Sequence, residues 1–325
     1  MNAILVTAFG GPETMKYAQV EIPEVQPSQL LIRVERASVN FADIKARYGK
    51  KGAALPFIPG LDAAGVIERV GSEVQGFKPG QRVIAFPKGG SYAEYVVADE
   101  ALTFAIPDSV DFDTAAACPT VSILSYKLLA EIARLEAGET VLVHAAAGGV
   151  GTTAIQLAKL LGAGLVIGTV GSGKKVSAAL EAGADHVIDY ETEDFSWRVT
   201  ELTGGAGADV ILDSVSGRVA ECSLNCLAEY GRLVHFGNSS GESGAFRTAD
   251  LHASCRSVLG YSLGTTRSKR PHTLREAADR VLQYLGEGRL KMKIGERFPL
   301  RDAGKAHEWI ESRLSTGKVL LDVRS

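Results

Sequence analysis

The sequence has 325 residues, which is long for a single hydrophobic core and favours two domains. Apolar residues make up 46% of the chain and charged residues 22%, as in an ordinary globular protein. With a formal net charge of −3 and no basic stripe, the sequence argues against a nucleic-acid partner.

Neither the first residues nor the apolar runs indicate export or membrane insertion. Residues 1–7 lack the basic and apolar regions of a signal peptide, and the longest apolar runs have only the length of strands. The four cysteines form no CxxC pair and no zinc spacing, which favours a reducing compartment. We therefore expect a cytoplasmic protein that makes no membrane contact.

Roughly the first 120 residues are typical of β structure. Runs of β-forming residues at 30–34, 64–70 and 82–86 are separated by turn-forming pairs rich in proline and glycine. Their short spacing predicts a partly open barrel rather than a layered parallel sheet.

From Thr140 to about Gly260 the pattern changes to short apolar strands that alternate with helical segments. The predicted strands are 141–144, 165–170, 186–189, 209–213, 232–236 and 257–261, and the predicted helices are 150–161, 174–182, one through Trp197, and 217–228. This alternation predicts a doubly wound parallel sheet in an α/β domain.

The remaining tail returns to the style of the first segment. Helices are predicted at 271–286 and 302–314, and a last strand at 317–323. We therefore predict a nucleotide-binding domain over 123–263, inserted into a discontinuous, mostly β domain that comprises 1–122 and 264–325.

The strongest motif is the segment 141–151, in which an apolar strand runs into a glycine-rich turn and a helix begins at once. This is the context that a dinucleotide fingerprint requires. Gly148, followed by Gly149 and Val150, would let the backbone approach a pyrophosphate at the helix N-terminus, and Gly151 would let the helix pack on the strand. The dinucleotide fingerprint usually has a third glycine, and this chain has Ala146 at that position.

The end of the second strand of this domain distinguishes NADPH from NADH. Enzymes specific for NAD place an acidic residue there to hold the ribose 2′-hydroxyl. Here Gly171 and Ser172 are followed by Lys174 and Lys175, without a carboxylate. A hydroxyl and an ammonium group suit a 2′-phosphate, and we prefer Lys175 for this contact. Alternatively, both lysines are only solvated residues at the start of a helix.

Several segments together resemble the zeta-crystallin-like quinone oxidoreductases, a branch of the medium-chain dehydrogenase/reductase superfamily. They are the loop at 146–151, the stretches 40–43, 59–65 and 236–241, and residues 311–313. The resemblance spans the chain. It implies a GroES-like outer domain around a Rossmann domain, a site in the cleft between them, NADPH, a quinone or enone acceptor, and a homodimer.

The resemblance also implies that the enzyme works without a metal. Zinc-dependent relatives carry a cysteine near Asn40 and a Gly-His-Glu sequence near Gly60, where this chain has Asn40 and the residues 60–62 as Gly-Leu-Asp. Carried over position by position, it implies cofactor contacts for Asn40, Gly148, Gly149, Val150, Gly171, Ser172, Lys175, Tyr190, Ser214, Phe236, Gly237, Asn238 and Arg313.

The acceptor pocket departs from the family pattern. Bacterial relatives place tyrosines shortly after the segment 40–43, where this chain has Lys45 and Lys51 with Tyr48 between them. Asn40, Tyr48 and Lys51 are our candidates for the catalytic residues that stabilise charge on the acceptor oxygen, with Lys45 as a further candidate. Tyr48, a lysine or water would deliver the proton.

Three functions follow from this pattern. The first is an NADPH-dependent, zinc-independent quinone reductase. The second is an NADPH-dependent reductase of α,β-unsaturated carbonyls, which shares the fold and directs the hydride to an alkene carbon. The third is a nucleotide-binding protein with a structural or RNA-binding role, which the neutral-to-acidic composition disfavours.

Overall fold

The computed structural model describes residues 1–50, 52 and 54–325. The chain forms two compact units. We call Met1–Ile123 together with Gly264–Ser325 the discontinuous unit, and Leu124–Leu263 the continuous unit.

The secondary structure of the described residues is numbered here in chain order. The strands are β1 (Asn2–Val6), β2 (Met15–Gln19), β3 (Gln29–Val39), β4 (Ala63–Val70), β5 (Arg82–Ala85), β6 (Tyr95–Asp99), β7 (Thr103–Ala105), β8 (Thr140–Val143), β9 (Leu165–Val170), β10 (His186–Asp189), β11 (Ala208–Asp213), β12 (Leu227–His235), β13 (Ser257–Gly260), β14 (Ile294–Pro299) and β15 (Lys318–Asp322). The α-helices are α1 (Phe41–Arg47), α2 (Phe112–Ala117), α3 (Leu124–Tyr126), α4 (Gly149–Leu160), α5 (Val176–Glu181), α6 (Phe195–Leu202), α7 (Arg218–Ser223), α8 (Ala249–His252), α9 (Leu263–Lys269), α10 (Arg275–Gly286) and α11 (Ala303–Glu311).

The discontinuous unit is built on a sheet in which the strands follow the order β14-β15-β3-β4-β5-β7, with β6 also paired to β3. All of these pairs are antiparallel except β14 with β15. Strand β3 is the longest, and its partners include β15 from the far end of the chain. Its side chains form one core with those of helix α11, where Ala303 and Ala306 are fully buried. The two segments of this unit therefore share a single hydrophobic core.

The continuous unit is a parallel sheet with the strand order β10-β9-β8-β11-β12-β13. Every neighbouring pair in it is parallel. The central strands β8, β9 and β11 are almost entirely buried, as expected when helices cover both faces of a sheet. The order reverses between β8 and β11, which is the topological switch point of a doubly wound fold. The predicted fold class is confirmed.

The predicted helix 217–228 is wrong at its end. Helix α7 stops at Ser223, a short 3₁₀ turn follows, and β12 begins at Leu227. Leu227 pairs with Ala208 of β11 and is buried, so sheet pairing replaces the helical continuation that the local pattern favoured. In the part of the chain that the structure describes, no helix has the length and apolarity that crossing a bilayer requires.

Candidate functional site

The glycine-rich segment forms the turn between β8 and α4. Ala145 adopts a left-handed conformation with φ of 53°, and the Ala146 amide donates to the Thr169 carbonyl at 2.9 Å. These two features turn the chain sharply into the helix. The amides of Gly149 and Val150 begin α4, where backbone N–H groups have no partner within the helix. They carry the positive end of the helix dipole, which suits an anion.

Glycine is present at positions 148 and 151 of this turn for different physical reasons. A Cβ on Gly151 would lie 2.4 Å from the Ala145 carbonyl oxygen, so helix packing requires glycine there. A Cβ on Gly148 would meet nothing closer than 3.4 Å, and its φ of −77° suits any residue. Neither packing nor backbone conformation therefore demands glycine at 148. What its missing side chain provides is open space in front of the helix N-terminus, which fits a phosphate group.

A buried histidine supports the turn from behind. His144 lies at the end of β8 and is hydrogen-bonded on both ring nitrogens, to Thr169 and Ser223, each at 2.9 Å. Ser223 Oγ donates to the Val219 carbonyl, so it accepts from Nε2, and Nδ1 accepts from Thr169. Burial lowers the pKa of His144 to about 4, which keeps the ring neutral. This residue is structural, and the sequence pattern gave no sign of its role.

The end of β9 forms the second part of this edge. Ser172 caps the 3₁₀ turn Gly173–Lys175, its hydroxyl accepting from the Lys174 amide. Tyr190, after β10, lies over Gly171, where a Cβ would be only 2.4 Å from the Tyr190 hydroxyl. One acid that sequence reasoning missed, Asp189, also reaches this turn, with Oδ2 3.7 Å from the Cβ position of Gly173. The turn is therefore polar and contains charges of both signs.

The remaining predicted residues of the continuous unit follow β11 and β12. The backbone carbonyl of Ser214, just after β11, accepts from Ser239 and packs 3.0 Å from the Cβ position of Gly237. Phe236 and Asn238 flank that glycine and are half-buried. Because all six strands are parallel, their carboxyl ends share one edge of the sheet, where ligands bind in such folds. The structure thus brings eleven predicted cofactor residues to one edge: Gly148, Gly149, Val150, Gly171, Ser172, Lys175, Tyr190, Ser214, Phe236, Gly237 and Asn238.

In the discontinuous unit, Asn40 is the N-cap of α1 and belongs to a buried polar network. Its side-chain amide donates to Asp62 Oδ1 at 3.1 Å, and its oxygen accepts from the Lys318 ammonium at 2.7 Å. Asp62 also accepts from the Ser38 hydroxyl at 2.7 Å. Burial lowers the pKa of Lys318, although Asp62 and Asp43 act in the opposite direction. Asn40 is therefore held rigidly between an acid and a cation.

Asp43, three residues after Asn40 and within α1, belongs to a second series of buried polar contacts. Asp43 Oδ2 accepts the Asn40 amide at 2.9 Å and lies 3.2 Å from the Tyr92 hydroxyl. Tyr92 in turn lies 3.1 Å from His307 Nε2. Burial raises the pKa of Asp43 to about 7 and that of Tyr92 well above its usual value, while burial and Arg47 lower the pKa of His307 to about 3.

Arg47 is the last residue in this series of contacts. Its guanidinium is completely buried and forms an ion pair with Glu311, in which Nη2 lies 2.8 Å from each carboxylate oxygen. Nε donates to the Gly10 carbonyl at 3.0 Å, and Nη1 lies 3.4 Å from His307 Nδ1. All three segments that meet here belong to the discontinuous unit, so the ion pair ties α1 to α11.

A cavity of about 730 Å³ is lined by residues of the discontinuous unit. Its wall includes the apolar side chains Phe57, Ile58, Leu61 and Leu102. Asp43 and the Arg267 guanidinium also line it, with the Lys88–Asp99 ion pair at 3.6 Å. A mostly apolar cavity with a few polar groups is typical of a small-molecule site. Sequence reasoning included Asp43 in the stretch 40–43 without giving it a role, and it did not name Arg267.

The other predicted site residues of this unit that the structure describes are not among the residues that line that cavity. Tyr48 is 44% exposed and packs against the Arg47 guanidinium. Lys45 lies over the Phe41 ring at 5.3 Å. Lys51 lies outside the described residues. Arg313 is exposed just after α11, with φ of 59°.

Comparison with known proteins identifies the family. Residues 26–108 match the alcohol dehydrogenase GroES-like domain and residues 149–283 match the zinc-binding dehydrogenase family. Quinone oxidoreductase of Pseudomonas aeruginosa is 39% identical over 98% of each chain, and quinone oxidoreductase 1 of Escherichia coli is 38% identical over 96% of each.

The chain belongs to the quinone oxidoreductase branch of the medium-chain dehydrogenase/reductase superfamily. Solved structures of the family agree. The Pseudomonas syringae quinone oxidoreductase superposes with a TM-score of 0.92 at 36% identity, over 99% of both chains. The E. coli quinone oxidoreductase complexed with NADPH gives a TM-score of 0.92 at 34% identity, over 99% of this chain and all of that one. The chain is therefore an oxidoreductase, as its sequence predicts.

Because residues 149–283 match the zinc-binding dehydrogenase family, the side chains at the zinc-ligand positions are informative. The described residues contain no cluster of three or more histidine, cysteine or acidic side chains arranged to hold a metal. At the positions where the zinc-dependent pattern has a cysteine and a histidine stand Asn40 and Leu61. Asn40 is already bound to Asp62 and Lys318, and Leu61 offers no ligand atom.

Proposed function

We propose that this protein transfers a hydride from NADPH to a quinone and that it does so without zinc. The observation that carries the proposal is the β8–α4 turn, where glycine at 148 serves neither packing nor backbone conformation and leaves space at a helix N-terminus. The similar proteins of P. aeruginosa and E. coli are quinone oxidoreductases, and the E. coli structure is complexed with NADPH, which supports the same reaction.

When bound, NADPH supplies the hydride, and the protein supplies binding and orientation. The amides of Gly149 and Val150 would hold the pyrophosphate, and Ser172 with Lys175 would hold the 2′-phosphate. Gly171, Tyr190, Ser214, Phe236, Gly237 and Asn238 would complete the cofactor-binding edge. The cofactor contacts of Asn40 and Arg313 rest on the family resemblance and stay predictions, as do the catalytic roles of Asn40, Tyr48 and Lys51.

Zinc independence is supported by the chemistry of the side chains at the expected ligand positions. An amide that is already saturated by an acid and an ammonium, and a leucine, cannot replace thiolate and imidazole ligands. Dialysis against a strong chelator tests this part of the proposal. We expect the rate of NADPH oxidation to be unchanged, and a loss that added zinc restores would contradict it.

The substrate class is tested by measuring NADPH consumption with a panel of acceptors. We expect the highest kcat/KM with benzoquinones and naphthoquinones. Preference for alkenals or enones would instead support the reductase of α,β-unsaturated carbonyls. Tight NADPH binding without consumption of any acceptor would support the non-catalytic alternative.

Replacing Lys175 by alanine is expected to weaken NADPH binding by about 10- to 150-fold, which corresponds to the roughly 1.5–3 kcal/mol of a hydrogen bond to a charged group. NADH lacks the 2′-phosphate, so its affinity should not change. Lys174→Ala is the matched control, because it removes an equal charge from the same 3₁₀ turn. Fluorescence titration with both cofactors gives the dissociation constants. Equal binding of NADPH and NADH by the wild type would overturn the assignment of this turn.

A homodimer is also part of the proposal. Strand β13 ends the six-stranded sheet, and within the described residues only β12 pairs with it. An edge strand with free backbone groups is a template for pairing with a second copy. Sedimentation equilibrium should give twice the chain mass of 34.3 kDa, and a monomer at micromolar concentration would contradict the proposal.

A further inference from the structure

We propose that Asp43 is the acid that protonates the reduced acceptor, and that the acceptor binds in the 730 Å³ cavity with its oxygen near Arg267. The inference rests on the proposed function, because a quinone that receives a hydride still needs a proton. It assigns to the reaction two residues of the discontinuous unit that the sequence patterns did not single out.

The first argument is the way in which the Asp43 carboxyl is held. Oδ2 accepts the Asn40 amide and lies within hydrogen-bond distance of Tyr92, so one oxygen is fixed. Oδ1 receives no hydrogen bond from any described residue, and Asp43 lines the cavity. The side chain is only 1% exposed. A buried carboxyl with one fixed oxygen and one unoccupied oxygen has the geometry of a proton donor to a molecule in the cavity.

The second argument is the charge around this carboxyl. Burial and the nearby Asp62 raise its pKa to about 7, and they outweigh the Asn40 amide, Lys318 and the Tyr92 hydroxyl, which lower it. Arg267 faces the same acids, while Arg47 and His307 act on the Tyr92 side. The carboxyl therefore gives and regains a proton near neutral pH, which suits a general acid.

The third argument is Arg267, the buried cation of the cavity wall. Its guanidinium stacks over the Phe86 ring at 4.7 Å, and Nη2 donates to the Pro87 carbonyl. Nε and Nη1 make no hydrogen bond to any residue that the structure describes. Those free donors are suited to an oxygen that gains negative charge during reduction. The apolar wall formed by Phe57, Ile58 and Leu61 suits the ring of a quinone.

The proposed reduction adds one hydride and one proton to the acceptor. The acceptor gains two electrons and one hydrogen as the hydride that NADPH would supply on its oxidation to NADP⁺, and the acceptor oxygen becomes negatively charged beside Arg267. The O–H bond of Asp43 then breaks and an O–H bond forms on the acceptor, which gives the hydroquinone. Asp43 is left as a carboxylate and recovers a proton from water.

The main test is Asp43→Asn, which keeps an oxygen for the Asn40 amide but cannot donate a carboxyl proton. We expect kcat with a benzoquinone to fall by about 10²- to 10⁴-fold, the range for loss of a general acid, while NADPH affinity is unchanged. Asp302→Asn is the control, since this acid pairs with Lys305 at 3.0 Å on the surface of the same unit. Turnover of Asp43→Asn within a few-fold of wild type would overturn the proposal.

A second measurement does not depend on turnover or on the variant's activity. Infrared difference spectra of the unliganded wild type should show a protonated carboxyl band that disappears as the pH rises through about 7. The band should be absent from Asp43→Asn.

In wild-type kinetics, kcat should fall with rising pH through the same range and show a solvent deuterium isotope effect. A wild-type rate that is flat across this range contradicts the proposal even if the variant does not fold.

Arg267→Met tests the second residue. We expect KM for the quinone to rise and kcat to fall at least tenfold, while the infrared titration of Asp43 persists. Unchanged quinone kinetics would remove Arg267 from the assignment. If the wild type consumes NADPH with no quinone or enone, the proposed function itself fails. If the wild type is active and both variants are equally active, only the assignment of these residues fails.

Discussion

Glu311→Ala is expected to lower the free energy of unfolding by about 3–5 kcal/mol, the cost of leaving a buried charge without its partner. Arg47 has no exposed side-chain surface, and both Glu311 oxygens bind it at 2.8 Å. The Glu311 side chain is 26% exposed, so water replaces the lost carboxylate in part, but a water molecule carries no charge to neutralise the guanidinium. The remaining contacts, to the Gly10 carbonyl and to His307, do not neutralise the guanidinium. Urea denaturation of the wild type and the variant measures the difference.

Glu308→Ala is the matched control for this prediction. Glu308 lies on the same helix, α11, and its side chain is exposed. Its removal should change stability by no more than about 0.5 kcal/mol, as for most surface positions. If the two variants are equally stable, the pair between α1 and α11 contributes nothing measurable and our interpretation of it is wrong.

Alanine at Gly148 and alanine at Gly151 are expected to affect different properties. At 148 the methyl group meets no protein atom closer than 3.4 Å, so stability should be unchanged. The methyl group would occupy the space in front of α4, and NADPH binding should weaken at least tenfold. At 151 the methyl group would lie 2.4 Å from the Ala145 carbonyl oxygen and 2.6 Å from Ala146 backbone atoms. This variant should lose about 1–3 kcal/mol of stability, as overpacked sites do.

Thermal unfolding and cofactor titration of the two variants separate these effects. Since both substitutions add the same methyl group within three residues of each other, each is the other's control. A Gly148→Ala protein that binds NADPH as tightly as the wild type would contradict the pyrophosphate assignment. A Gly151→Ala protein as stable as the wild type would show that the turn adjusts without cost.

The fold of the continuous unit could be predicted from the sequence because the patterns that indicate its strands, helices and turns are local. Each strand–helix pair has its own period and its own turn residues, so β8, β9 and β10 with the turns that follow them could be placed from nearby residues alone. The failure at 217–228 has the same origin. The pairing of Leu227 with Ala208 is a contact between distant segments, and the local pattern of 217–228 carries no trace of it.

The discontinuous unit was less predictable because its site is assembled from distant segments. Asn40, Asp62 and Lys318 meet although the last two are 22 and 278 positions from the first. Asp43 had no predicted role, and its burial beside Tyr92 and the cavity is what distinguishes it. Arg267 gave no signal at all, since its environment depends on Phe86 and Pro87.

The pairing of β15 with β3 has a consequence for synthesis on the ribosome. Residues 319–322 pair with 36–39, so the central strand of that sheet is completed only by residues translated 280 to 286 positions later. In the sequence, the continuous unit comes between these two segments, and all strands of its sheet lie within residues 140–260, so its strand pairs are complete earlier in synthesis. It can therefore fold while the nascent chain is still growing. Until the C-terminal segment emerges, Asn40 lacks its contact with Lys318 and the buried Arg47 lacks its partner Glu311.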